Sequence, residues 1–333
     1  MRKIINHPDD FVDEMIEGLL LAHPDMLRAA SSDKRVIVRA DSPIEGKVGI
    51  VTGGGSGHLP LFKGYVGKGL ASGVAIGNVF SSPHATQCLE ATRAVSGGAG
   101  VLYLYGNYGG DVLNFDLAAD MAEMENIETR TVLGCDDVAS QPKEKSADRR
   151  GVAGIFFAYK AAGAAAERGD SLDEVASIAQ DIVDNTATMG IGLSPTIFPT
   201  TGKASFELPD GEMELGIGIH GEPGIHRGPL ESADQIVSRL VEPLVEDLDL
   251  GSGDSVAVLV NGMGATPLEE LYVMYRQVHK ILQAKKIQIN KSYIGEFATS
   301  LEMAGASLTF LKLNPARLNL LNASAQSPFF KEG

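Results

Sequence analysis

Lys47-Val-Gly-Ile-Val-Thr52-Gly-Gly-Gly-Ser-Gly57-His58-Leu-Pro60 runs a short apolar strand directly into a block of glycines. Glycines at the C-terminal end of a strand let the backbone approach a ligand closely and supply N–H donors. Parallel sheets bind their ligands at that edge. An ordinary tight strand-to-helix turn is the plainer reading, but three consecutive glycines plus Gly57 exceed what a turn needs. His58 faces the same crevice. The pattern recurs downstream: Gly73-Val-Ala-Ile-Gly77, Gly100-Val-Leu-Tyr-Leu-Tyr105 and 129–133 predict further strands. Apolar positions at helical spacing predict helices over 9–30 and 115–125. Strands alternating with helices imply a mostly parallel sheet with helices on its faces.

Beyond residue 150 the spacing predicts an Ala-rich helix over 152–166 and a second over 171–188, opened by Ser171-Leu-Asp-Glu174 as a capping box. Around Met189-Gly-Ile-Gly192 the character changes, and five prolines (Pro195, Pro199, Pro209, Pro223, Pro229) follow. Helices are predicted again over 232–248 and 266–284, with strands over 254–260, 293–297 and 307–313. The resulting fold class is α/β: two domains, 1–188 and 189–333, with mostly parallel or mixed sheets flanked by helices. A length of 333 residues suits two domains, because single cores usually stop growing near ~250 residues.

Composition excludes several classes of function. The net charge of −15 repels phosphate backbones and anionic bilayers, so neither nucleic acid nor a membrane is expected as a partner. The opening Met1-Arg-Lys-Ile-Ile-Asn-His-Pro lacks the apolar core of a signal peptide, and no apolar run approaches the ~20 residues of a membrane span. Cys88 and Cys135 are far apart, as expected of reduced thiols in a cytoplasmic protein. No paired-histidine spacing suggests a metal, and no G-x-x-x-x-G-K-[ST] loop suggests a nucleotide.

Two further stretches are candidate sites. Asn107-Tyr-Gly-Gly-Asp111-Val-Leu-Asn-Phe115 follows a strand and precedes a helix, so Asp111 is either the helix N-cap or a general base. Leu215-Gly-Ile-Gly-Ile-His220-Gly-Glu-Pro-Gly224 matches G-x-G-x-x-G through Gly216, Gly218 and Gly221. Pro223 and Pro229 leave no helix start for a pyrophosphate, which argues against a dinucleotide site. His220, expected at a glycine-rich strand end, is the more interesting residue. His7, His23, His84 and His279 read as surface or capping residues.

Taken together, Asn6-His-Pro-Asp-Asp-Phe-Val12, Gly53-Gly-Gly-Ser-Gly-His58, Gly77-Asn-Val-Phe80 with Ser82-Pro83, Asn107–Phe115 and Gly218-Ile-His-Gly-Glu-Pro-Gly224 resemble, in order and across nearly the whole chain, the K subunit (DhaK) of dihydroxyacetone kinases, the glycerone kinases of glycerol metabolism. That resemblance implies that His220 attacks the substrate ketone to form a hemiaminal. It implies that Asp111 takes the proton from the hydroxyl to be phosphorylated. Gly55, Ser56, Gly57 and His58 would bind the substrate, with His58 also assisting the chemistry. The resemblance further implies a homodimer with no cofactor bound by this chain. ATP or ADP with Mg2+ would sit on a separate L subunit, which a phosphotransferase-system M subunit recharges in some versions.

Two positions depart from the family pattern. Gly106 stands where the family usually has a substrate-contacting lysine, which opens the alternative of a longer ketose such as erythrulose. The tail 320–330 lacks the usual Trp-Asp-Ala-Pro. The rival reading is a non-catalytic, ketose-sensing regulator, which needs the ligand histidine but not the base.

Overall fold

A computed structural model describes residues 3–30 and 34–333; Met1 and Arg2, the start of the polar N-terminal stretch, lie outside them. In chain order the elements are α1 (Phe11–Ala22), β1 (Leu27–Ala29), β2 (Val36–Arg39), β3 (Gly49–Ser56), β4 (Gly73–Val79), α2 (Ala85–Val95), β5 (Val101–Gly106), α3 (Gly109–Met124), β6 (Thr129–Gly134), α4 (Ile155–Arg168) and α5 (Leu172–Asp184). Then follow β7 (Thr186–Ser194), β8 (Glu212–Leu215), β9 (His226–Pro229), α6 (Ala233–Asp247), β10 (Ser255–Gly262), α7 (Leu268–Ala284), β11 (Gln288–Gly295), β12 (Ala304–Leu313), α8 (Pro315–Asn322) and the small hairpin β13 (Ala325–Gln326) with β14 (Lys331–Glu332).

The first sheet has the order β1-β2-β4-β3-β5-β6, and the second β11-β10-β12-β7-β8-β9. In the first, β4, β3, β5 and β6 are mutually parallel, with β2 and β1 antiparallel at one edge. The second is mixed: only β10 and β11 are parallel. The expected α/β class, with mostly parallel or mixed sheets flanked by helices, is what the chain forms.

Strand alternation sorts the apolar residues into layers. Along β10, Val256, Val258 and Val260 pack with α6 and α7, whereas Ala257 and Leu259 face the other way. Along β5, Val101, Tyr103 and Tyr105 pack with α2 and α3, whereas Leu102 and Leu104 join α4 and α5. The Ala-rich α4, buried over almost its whole length, therefore lies between the two sheets. Small side chains suit a helix enclosed on both sides, since bulkier ones would force the sheets apart.

Several element boundaries differ from expectation. The helix expected over 9–30 stops at Ala22, and β1 follows it. The capping box at Ser171 is present, but α5 ends at Asp184, and Thr186–Thr188 open β7 instead of closing the helix. The division at 188/189 thus falls inside β7. That strand is buried from Thr186 to Gly192, so it shows none of the polar alternation that marks a half-exposed strand.

Candidate active site

The parallel strands β4, β3 and β5 end side by side, and their C-terminal ends carry the site. β3 continues through Gly53, Gly54 and Gly55 to Ser56, so this stretch is strand rather than loop. Aromatic packing explains the glycines. A Cβ at Gly53 would lie 2.9 Å from the Phe115 ring, and one at Gly57 would lie 2.5 Å from the Phe80 ring. One at Gly55 would come within 2.7–2.9 Å of the Phe80 and Ser81 backbone. The Ser56 hydroxyl donates to the Gly77 carbonyl at 2.9 Å, tying β3 to β4.

His58, directly beyond β3, is buried. Its Nδ1 lies 2.7 Å from the Thr299 carbonyl oxygen, which can only accept, so Nδ1 carries the proton. Nε2 is then the basic nitrogen, and it is buried with no hydrogen-bond partner. Burial, reinforced by the neighbouring His220, holds this imidazole well below the usual histidine range and hence neutral.

His220 comes from the second sheet. It sits in the turn between β8 and β9, closed by a bond from the Gly221 N–H to the Gly218 carbonyl, rather than at a strand end as expected. No helix follows until α6, which disposes of the dinucleotide motif. Glu222 accepts from the His220 backbone N–H at 2.9 Å and from Nδ1 at 2.8 Å. Burial opposes its charge, but these donors outweigh it and hold the Glu222 carboxyl at about 2. With Nδ1–H so engaged, the lone pair of His220 is on Nε2. Its ring stands perpendicular to His58 at 4.7 Å between centroids and perpendicular to Tyr108 at 4.8 Å. Arg150 steadies the same turn, reaching the Gly216 carbonyl at 3.2 Å while paired with Asp137.

Asp111 is not a cap. The N-cap of α3 is Tyr108, and Asp111 lies within the first helical turn, buried, with one carboxylate oxygen lacking a partner. Burial raises its pKa to about 6, against the pull of a hydrogen bond from Ser82 and the charge of His220. Ser82 lies two residues beyond Phe80, whose ring packs against both histidines, so Asp111 comes to the same strand ends. A carboxylate at that value is largely ionised at neutral pH yet basic enough to accept a proton.

Gly106 closes β5, and a Cβ there would meet the Gly151 carbonyl and the Tyr108 ring at 3.3 Å. The structure thus brings together His58, His220 and Asp111, with Gly106 beside Tyr108. Sequence reasoning assigned no role to Glu222, Thr299, Ser82 or Phe80. Glu222 was within reach, two residues from His220 in a turn, whereas Thr299 is joined to His58 only by the tertiary fold. Among the described residues no group of three or more His, Cys, Asp or Glu could hold a metal ion. Nor is any helix among them long and apolar enough to cross a membrane.

Two imidazoles from different sheets, set edge to face near a buried carboxylate, define a class: a two-sheet α/β protein with a polar side-chain cluster where its sheets meet. The chain belongs to the Dak1 family, whose domain matches residues 17–329. It is 44% identical over 331 residues to the dihydroxyacetone-binding subunit DhaK of PTS-dependent dihydroxyacetone kinase 2 of Listeria innocua, covering 99% of each chain. It superposes on the dihydroxyacetone kinase of C. freundii, solved with AMP-PNP and Mg2+, with a TM-score of 0.91 and 31% identity, covering 99% of this chain and 61% of that one. A dihydroxyacetone kinase operon co-activator, Dha-DhaQ, superposes with a TM-score of 0.87 and 32% identity, covering 94% and 96%.

Proposed function

We propose that this chain is the dihydroxyacetone-binding subunit of a dihydroxyacetone kinase, capturing the ketone covalently on His220. The observation that carries the reading is the hydrogen bond between His220 Nδ1 and Glu222, which leaves Nε2 free beside His58. The Nε2 lone pair adds to the ketone carbon, the C=O π bond breaks, and its oxygen takes up a proton. The Nδ1 proton, already shared with Glu222, is the one that leaves, so the net change is addition of N–H across C=O. The unpartnered His58 Nε2 accepts a hydrogen bond from a substrate hydroxyl, and the backbone from Gly55 to Gly57 lines that side. Asp111 then takes the proton of the terminal hydroxyl as its oxygen attacks phosphorus. Tethering removes the search for that geometry, an advantage worth several orders of magnitude in well-oriented systems.

The nucleotide, ATP or ADP with Mg2+, belongs to a partner L subunit: ATP gives up its terminal phosphoryl group, and the PTS-dependent relative supports recharging of the remaining ADP by an M subunit. The family resemblance also supports a cytoplasmic homodimer. A ketose-sensing co-activator would need His220 but not the base, and the near-neutral carboxyl of Asp111 favours the enzyme. Gly106 favours a second substrate reading, a tetrulose such as erythrulose. Intact-mass analysis with dihydroxyacetone tests the capture step. The wild-type chain gains the mass of one ketone, and His220→Ala loses that adduct. An adduct surviving in His220→Ala would remove this residue from the mechanism.

A further inference from the structure

Phe80 follows β4 with a φ of +53°, in the left-handed region. A bulky side chain there is strained, where glycine or asparagine would turn the chain with less strain. Such strain persists when something else over-determines the conformation. Core packing is a weak candidate, because Phe80 is only half-buried. Its backbone N–H donates to the Ser56 carbonyl at 3.0 Å, so the turn folds back onto the end of β3. The ring is thereby laid against both histidines, the three rings forming a triangle. It stacks on His58 at 4.8 Å and 12°, stands perpendicular to His220 at 5.2 Å, and is backed by Phe198 at 5.4 Å. Gly57 serves the same ring, since any Cβ there would strike it.

His58 has one ring hydrogen bond, through Nδ1 to Thr299. A single bond of that kind fixes the position of Nδ1 but leaves the ring plane free to swing about the bond axis. The Phe80 face, with the Phe62 edge at 6.2 Å and 82°, removes that freedom and shields the ring from water. We propose that Phe80 is a positioning residue: its ring fixes the planes of both imidazoles so that the two Nε2 atoms address one substrate. The proposal rests on the capture reading above, but its test separates the two.

The full chain carrying Phe80→Leu keeps apolar bulk at the turn and loses the flat ring, whereas Phe80→Tyr keeps the ring. Two measurements are made: dihydroxyacetone affinity by calorimetry, and the titration of His58 ring protons by NMR in the ligand-free chain. The other groups facing His58 are His220, Lys63, Glu222 and the Thr299 carbonyl, all retained in both variants. In Phe80→Leu affinity falls by ~10–10²-fold, the usual effect of small misplacement of reacting groups. His58 titration rises toward the ordinary histidine range while thermal stability changes little. Phe80→Tyr restores both. Wild-type affinity with unmoved His58 titration in Phe80→Leu overturns the proposal, as does a loss of affinity accompanied by unfolding that Phe80→Tyr shares. If the wild-type chain forms no adduct, the capture reading fails, and the His58 titration still decides the role of Phe80.

Discussion

At neutral pH the Asp111 carboxylate is charged although little of it reaches water, and the folded state is less stable for it. Its pKa rises from the ordinary 3.8 to about 6 on folding, so the folded protein binds the proton more tightly than the unfolded chain. The sign follows: destabilisation is complete above pH 6, shrinks as pH falls toward 4, and vanishes below that, with an upper bound of about 3 kcal/mol. Asp111→Asn is expected to raise stability at pH 8 in denaturant melts and to lose that advantage at pH 4. The same substitution should leave the ketone adduct intact while turnover drops by ~10²–10⁴-fold, the usual worth of a placed general base. Wild-type turnover should fall as pH drops through 6. Unchanged turnover in Asp111→Asn would return this residue to a merely local role in α3.

The ends of elements explain both what the sequence disclosed and what it hid. β4, β5 and β10 are legible because each is a compact apolar run bounded by glycine or polar residues, and β6 because Thr-Arg-Thr-Val-Leu is rich in β-branched residues. β3 was legible only as far as Thr52. Glycine is a poor strand former, and nothing local announces that rings from Phe62, Phe80 and Phe115 will fill the space above it. The Thr186-Ala-Thr188 start of β7 reads as the end of the preceding helix because a strand buried on both faces has no period of two. His58, Asp111 and His220 were readable as residues of interest, but their convergence was not, since contacts between sheets leave no periodic mark. The end of β5 carries a prediction of its own. With glycine at 106 there is no cation, and a side chain there would press on Tyr108, which touches His220. Competition binding should show a tetrulose at least matching dihydroxyacetone. Gly106→Lys should shift preference toward the three-carbon ketone, whereas Gly106→Ala, adding only the Cβ, should not. A wild-type chain that strongly favours dihydroxyacetone over every tetrulose would remove the argument from size.

Across the whole molecule, α4 holds two sheets of different character together. The parallel one presents strand ends with His58 and Asp111, and the mixed one supplies His220 and Thr299. In the proposed function the site holds and deprotonates a ketose, and the sequence carries no G-x-x-x-x-G-K-[ST] loop to hold a nucleotide phosphate. Purified chain with Mg-ATP and dihydroxyacetone should therefore yield no phosphate ester until a nucleotide-binding partner is added. Turnover by the chain alone, free of contaminating kinase, would refute that dependence. The placement of the two histidines on separate sheets has a consequence for the life of the protein before it works. Glu222 engages His220 within a single turn of the second sheet, whereas His58 reaches it only when the two sheets dock. A chain with one sheet formed therefore holds an oriented histidine without the rest of the pocket. On the proposed mechanism, productive capture waits for both sheets, and completion of the fold is what assembles the trap.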